Sequence, residues 1–237
     1  GWGFLMEESG ASGSENWTWR WIVDPLDGTR EYSEKRSDWA VHVALAVDGI
    51  AVAGAVALPG AGVTLCSANP PGLRPANEPL RMLVSRTRPA AEAVAVAKQM
   101  KAELFPMGSA GAKAMAVLRG EADIYLHTGG QYEWDNCAPV AVAQAAGLHC
   151  SRIDGTPMVY NNADLANTAL NLTESQICQI FAHLRAGKKL RLSQARHRQP
   201  HPQQPQANHL WRKGSKERGA VLRNPLDERA DTRPGGG

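Results

Sequence analysis

The run Trp19-Arg-Trp-Ile-Val23, followed directly by Asp24-Pro-Leu-Asp-Gly-Thr29, constrains the fold more than any other stretch. Aromatic and β-branched residues in succession suit a buried strand. Pro25 disfavours helix at Asp24 and Gly28 permits a sharp turn, so the strand ends in a bend and a short helix starts near Gly28 or Thr29. The bend sets two carboxylates three residues apart, with a carbonyl between them, where they can surround one hard cation. Gly28 and Thr29 offer backbone N–H groups at a helix start, a ready phosphate site. Taken alone, the hexapeptide fits equally well a plain strand–turn–helix connection with Asp as a cap.

Gly3 to Glu8 reads as a short strand ending in two carboxylates, and Ser9 to Asn16 as a polar linker. Trp39–Val47 and Ile50–Leu58 read as a hairpin turning at Asp48-Gly49, and Val63–Ser67 continues the sheet. Ala68–Pro79, rich in Pro, Asn and Gly, is a loop. Arg81–Ser85 is a strand, Ala90–Met100 a helix with Ala and Val on its apolar face, and Glu103–Pro106 a strand edge. Ser109 caps a helix over Ala110–Arg119, stopped by Gly120. Ala122–Leu126 is a strand, Gly129-Gly130 a turn and Glu133–Ala146 a helix. Leu148–Arg152 and Thr168–Asn171 are further strands, and Thr173 opens a last helix to about Leu184. This mixture implies an α/β or α+β domain of stacked sheets and helices.

Charge divides the 237-residue chain. Residues 1–182 hold 13 Lys and Arg against 19 Asp and Glu, whereas residues 183–237 hold 13 against 4. The basic balance of the whole chain therefore says nothing about partners of its acidic body. The expected organisation is one domain over residues 1–185 and a basic, Pro/Gln-rich, disordered tail over 186–237, too poor in apolar residues to offset its ordering entropy. Cys66, Cys137, Cys150 and Cys178 lack C-x-x-C spacing and are expected to be reduced, which points to the cytoplasm. The stretch Trp39–Val63 is broken by His42, Asp48 and glycines and reads as strands, not a spanning helix. The first ten residues lack the basic n-region and cleavage site of a signal peptide.

WIVDPLDGT, preceded by MEES and followed by EWDNCAP, resembles the inositol monophosphatase superfamily of Mg²⁺-dependent, lithium-sensitive phosphatases, and within it the CysQ-type bisphosphate nucleotidases of actinobacterial kind. DPLDGTREYS, DWAVHVAL, GSAGAKAMAV, ADIYLHTGGQYEWD and YNNADL carry the likeness from Phe4 to about Ala166. The resemblance implies a layered α-β-α-β-α sandwich. It implies a hydrolase, a 3'(2'),5'-bisphosphate nucleotidase, removing the 3'-phosphate of 3'-phosphoadenosine 5'-phosphate through metal-activated water, with two or three Mg²⁺ ions. Its setting would be by-product clearance in sulfate assimilation.

The resemblance also assigns roles. Glu7, Asp24, Asp27 and Asp135 would bind metal, with the Leu26 carbonyl completing the set. Thr29 would orient the attacking water, and the Gly28 and Thr29 amides would hold the phosphate. Ser109 and Lys113 are candidate substrate contacts, although Ser109 reads equally as a helix cap, and Asp135 borders the substrate as well as the metals. Glu8 is either a solvated carboxylate or a water-mediated neighbour of the metals. His42, inside an apolar strand, reads as a core histidine. Arg30, Glu31 and Tyr32 would shape the nucleotide entrance. Inositol-specific members carry an acidic residue seven positions before the metal-binding Asp; here it is Thr128, which argues against inositol phosphate as the preferred substrate.

Family members carry about seventy further residues before the E-E motif, supplying two helices and an acidic partner for the threonine. The resemblance therefore leads us to expect an N-terminally truncated sandwich with exposed apolar sheet surface and impaired turnover. The rival readings are an inositol monophosphate or fructose 1,6-bisphosphate phosphatase, and a metal- or nucleotide-binding fragment without turnover. The expected partner is a small phosphorylated nucleotide and not a membrane or nucleic acid. Homodimers are common in the superfamily, but the sequence identifies no interface.

Overall fold

The computed structural model describes residues 1–13, 18–162 and 166–173. The first sheet comprises β1 (Trp2–Met6), β2 (Gly10–Gly13), β3 (Trp19–Asp27), β4 (Ala40–Val47), β5 (Ile50–Leu58) and β6 (Val63–Cys66), in the order β2-β1-β3-β4-β5-β6. Only the β1–β3 pair in it is parallel. Helix α1 (Thr29–Ser33) follows β3. The second sheet comprises β7 (Arg81–Ser85), β8 (Glu103–Met107), β9 (Ile124–Tyr132), β10 (His149–Ser151) and β11 (Ala166–Thr173), in the order β10-β11-β9-β7-β8. Its helices are α2 (Ala91–Met100), α3 (Ala110–Leu118) and α4 (Glu133–Ala145).

The apolar residues of α3 and α4 share one core with both sheets: Leu5, Ile22, Ala44 and Val56 on one side, Leu83, Tyr125 and Leu172 on the other. Every residue from Gly111 to Leu118 is buried, as a helix enclosed between two layers requires. Helix α2 packs on the far side of the second sheet over Met82, Val84, Ile124 and Leu126. The layers thus run sheet, helices, sheet, helix. On the first sheet's other face, Trp2, Phe4, Trp19, Trp21 and Val43 are all exposed by a third or more, and the Trp2 and Trp19 rings lie 5.1 Å apart.

Most boundaries follow the sequence pattern, and three expectations need correcting. The Ser9–Asn16 linker contains strand β2, paired antiparallel to β1. Strand β3 does not stop at Val23 but stays paired through Asp27, because a one-residue bulge between Asp24 and Asp27 absorbs Pro25, which has no N–H for the ladder. Gly129-Gly130 does not reverse the chain but lies inside β9 at a bulge, between the pairs Gln131–Asn167 and Thr128–Ala169, with Gly130 at φ 75°; the glycines serve a bulge instead of a turn. Asp48 and Gly49 have φ of 48° and 79°, the double left-handed turn of a tight hairpin. The expected helix after Thr173, the tail and Cys178 lie outside the described residues, whose other three cysteines are free. Among the described residues no helix is long and apolar enough to cross a membrane.

Helix α4 sits directly on β5. A Cβ on Gly54 would lie 2.8 Å from the Ala138 carbonyl and 2.9 Å from the Ala141 Cβ. Gly54→Val is therefore expected to push α4 off the sheet and cost about 1–3 kcal/mol, readable as a lowered urea midpoint; an unchanged midpoint would contradict this packing.

Candidate metal and phosphate site

The bulge at the end of β3 turns Asp24 and Asp27 towards one point, and the Leu26 N–H donates to Asp24 Oδ1 at 3.0 Å. The parallel β1–β3 register sets Met6 beside Val23, which brings Glu7 up to Asp24. Asp135 arrives from the first turn of α4, where its Oδ2 accepts from the Tyr132 N–H at 2.6 Å. One carboxylate oxygen from each of Asp24, Asp27 and Asp135 lies within 4.8 Å of the others.

Asp27 is 7% exposed and sits in the open end of α3. Its Oδ2 accepts from Ser109 Oγ at 2.5 Å and the Gly111 N–H at 2.6 Å, and its Oδ1 from the Ala110 N–H at 3.1 Å. His42 Nε2 stands 3.2 Å from the same Oδ2. A carboxylate at a helix N-terminus satisfies donors that have no partner inside the helix. Ser109 Oγ also accepts from the Ala112 N–H at 2.9 Å, so this hydroxyl is committed to the cap and to Asp27. Lys113 is buried, and its Nζ donates to the carbonyls of Gly108 and Ser109. It braces that loop from behind and does not extend into solvent.

These residues line a cleft of about 360 Å³ that holds Glu7, Asp24, Leu26, Asp27, Gly28, Thr29, Ser109, Lys113 and Asp135 together. Gly28 has φ of 92°, which favours glycine, and Thr29 is exposed at the start of α1. Of the entrance residues, Arg30 and Glu31 line the cleft and Tyr32 does not; Glu8, the candidate neighbour of the metals, is not in its lining either. Ser85 to Arg88, which the sequence did not single out, also line the cleft. Arg86 there donates to Glu31 at 2.9 Å and Glu34 at 2.7 Å, while Arg88 is exposed. The only prior signal was two arginines directly after a strand, Ser85-Arg-Thr-Arg88.

The sequence profile of the inositol monophosphatase family matches residues 2–186. The chain belongs to this family. A 3'-phosphoadenosine 5'-phosphate phosphatase of Mycobacterium bovis is 48% identical over 171 residues, covering 68% of this chain and 64% of the relative. The CysQ nucleotidase of Escherichia coli K12 is 30% identical, covering 62% of this chain and 64% of the relative. The chain thus spans less than two thirds of the length of these relatives. In fold it resembles the inositol monophosphatase of Anabaena (TM-score 0.62, 22% identity, 79% of each chain covered). It also resembles CysQ of Bacteroides thetaiotaomicron (TM-score 0.60, 24% identity, 72% of this chain and 76% of that one).

The family's members are metal-dependent phosphatases, and the electrostatics of the Asp24, Asp27 and Asp135 cluster suit a metal ion. Burial raises the Asp24 carboxyl to about 8; His42 opposes this, while Asp27 and Glu7 add to it. Burial, then the Asp27 charge, raises Asp135 to about 7. Burial also works against ionising Asp27, but His42, Ser109 and the Gly111 N–H outweigh it and bring that carboxyl down to about 2. Burial lowers His42, yet Asp27, Asp24 and the Trp134 carbonyl prevail and raise it to about 9. Three crowded carboxylates, two of them reluctant to ionise, gain charge balance from a bound cation.

With raised pKa values, Asp24 and Asp135 bind protons in the fold that the unfolded chain has released. Stability of the metal-free protein therefore falls as pH rises from the ordinary carboxylate range to about 8, and His42 adds in the same sense up to about 9. Asp27, lowered, acts only in acid. The expected outcome is a melting temperature in EDTA that declines from pH 5 to pH 8, with stabilisation by Mg²⁺ that grows over the same range. Asp24→Asn, neutral at every pH, is expected to make the decline shallower, leaving the part due to Asp135 and His42, and to remove the Mg²⁺ effect. A flat wild-type profile would contradict the charge crowding.

Proposed function

We propose that the chain acts as a Mg²⁺-dependent phosphomonoesterase that removes the 3'-phosphate of 3'-phosphoadenosine 5'-phosphate, giving AMP and phosphate. The observation that carries this reading is that the Asp24, Asp27 and Asp135 cluster lines the same cleft as Arg30, Arg86 and Arg88. A metal site alone serves any phosphate ester. Arg30, Arg86 and Arg88 in the same lining suit a substrate with a second phosphate. The names of the mycobacterial relatives point the same way. Thr128, at the position where inositol-specific members carry an acidic residue, donates its hydroxyl to Glu92 at 3.0 Å, which favours a nucleotide over inositol.

In this reading Glu7, Asp24, Asp27, Asp135 and the Leu26 carbonyl hold two or three Mg²⁺ ions. Bound Mg²⁺ supplies Lewis-acid stabilisation of the phosphoryl oxygens and makes water a better nucleophile. The Gly28 and Thr29 N–H groups receive the phosphate oxygens, and the Thr29 hydroxyl orients the water for in-line attack. Ser109 and Lys113 contribute indirectly, through Asp27 and the Gly108-Ser109 loop, because their polar atoms are already engaged. A cytoplasmic site of action and a homodimer remain part of the proposal.

The test is Mg²⁺-dependent phosphate release from 3'-phosphoadenosine 5'-phosphate beside inositol 1-phosphate and fructose 1,6-bisphosphate, with Li⁺ and Asp24→Asn as controls. Faster release from the nucleotide, lost in the variant and inhibited by Li⁺, is the expected result. Preference for either sugar phosphate would overturn the substrate assignment. Nucleotide binding by calorimetry without turnover would replace the enzyme with a binding fragment. Arg88→Ala is expected to raise KM for the bisphosphate about tenfold, about 1.4 kcal/mol, and to leave 3'-AMP hydrolysis nearly unchanged; equal losses on both would remove Arg88 from second-phosphate recognition.

A further inference from the structure

His42 lies on β4 directly opposite Asp24, with no exposed surface. Its Nδ1 is 2.9 Å from the Trp134 carbonyl in the first turn of α4, one residue before Asp135. Its Nε2 is 3.2 Å from Asp27 Oδ2. A carbonyl and a carboxylate only accept, so the ring meets an acceptor at each end. The start of α3 closes on the same ring: a Cβ on Gly111 would lie 2.0 Å from Nε2. One imidazole therefore touches the strand that carries Asp24 and Asp27, the helix start that clasps Asp27, and the turn that carries Asp135.

We propose that His42 is a positioning residue that sets the spacing between the Asp27 and Asp135 carboxylates from behind, and so sets the affinity of the cluster for a divalent cation. The reasons are geometric. Asp27 and Asp135 belong to different layers, β3 of the first sheet and α4 between the sheets. Van der Waals packing alone leaves such layers free to slide by fractions of an ångström, whereas a rigid planar ring hydrogen-bonded to the Trp134 carbonyl at Nδ1 and ion-paired with Asp27 at Nε2 limits that slide. Partners of this kind behind a metal ligand typically change metal affinity 10–100-fold when removed. A core histidine that merely fills space would need neither contact.

The inference rests on the metal-site reading above, and its test needs no turnover. Mg²⁺ binding to the full chain is measured by calorimetry at low temperature, on protein shown by circular dichroism to be folded. His42→Phe fills the space without donors and is expected to weaken Mg²⁺ binding at least tenfold. His42→Gln, which retains one donor, is expected to fall between His42→Phe and wild type. Gly111→Ala, which keeps the histidine but forces its ring to shift because the added Cβ would lie 2.0 Å from Nε2, is expected to weaken Mg²⁺ binding as well, and it reads the same quantity if the His42 variants do not fold. Under saturating Mg²⁺, KM for the nucleotide should stay near wild type while the Mg²⁺ concentration for half-maximal rate rises. A folded His42→Phe with wild-type Mg²⁺ affinity would overturn the positioning role and leave the metal site standing. A wild-type chain that takes up no Mg²⁺ would overturn both.

Discussion

The clasp of Asp27 by the start of helix α3 is the contact on which the rest of the site depends. Ser109 Oγ and the N–H groups of Ala110 and Gly111 converge on this carboxylate, and His42 approaches from β4. Strand β3 and helix α3 are separated by more than eighty positions in the chain, and this buried charge is where they are registered against each other. A buried carboxylate is tolerated only when its oxygens are satisfied, and here four groups satisfy them. The strain recorded at Ser109, whose φ is 46°, belongs to this clasp.

The cleft that results is polarised. Its carboxylates come from the ends of β1 and β3 and the start of α4, and its arginines from the loop after β7 and the start of α1. Part of the arginine charge is internally balanced, since Arg86 spans Glu31 and Glu34. Glu31 in turn packs so tightly on Gly108 that a Cβ there would lie 2.1 Å from it. The arginine wall and the Asp27 clasp are thus coupled through the Gly108-Ser109 loop, whose Gly108 N–H also donates to Asp38 at 2.7 Å. Small residues are required at 108 and 111 for steric reasons specific to this arrangement.

Much of the site was legible locally. Asp24, Leu26, Asp27, Gly28 and Thr29 lie within six residues, so a strand, a proline and a glycine were enough to place them at one bend. The helix start at Glu133 was readable, but Asp135 entered the metal set through the resemblance carried by EWDNCAP. Ser109 was correctly read as a cap, but a cap has a second face, and nothing in G-S-A-G says that Asp27 would occupy it. Lys113 is four residues from Ser109, yet whether its ammonium reaches solvent or the loop carbonyls depends on how deeply α3 is enclosed. His42 was readable as buried and unreadable as a neighbour of Asp27, since their proximity follows from cross-strand register and a bulge.

The sequence by itself determined most of the elements and the bend at Asp24–Thr29, because these follow from propensities and turn chemistry acting over a few residues, while Glu7 and Asp135 joined the acidic set through the family resemblance. Only the tertiary structure decided that Asp135 meets Asp24 and Asp27, that arginines line the same cleft, and that His42 and Ser109 serve Asp27. Those outcomes depend on the stacking of two sheets around α3 and α4. Stacking is set by burial summed over the whole core, a quantity that no short stretch of sequence contains.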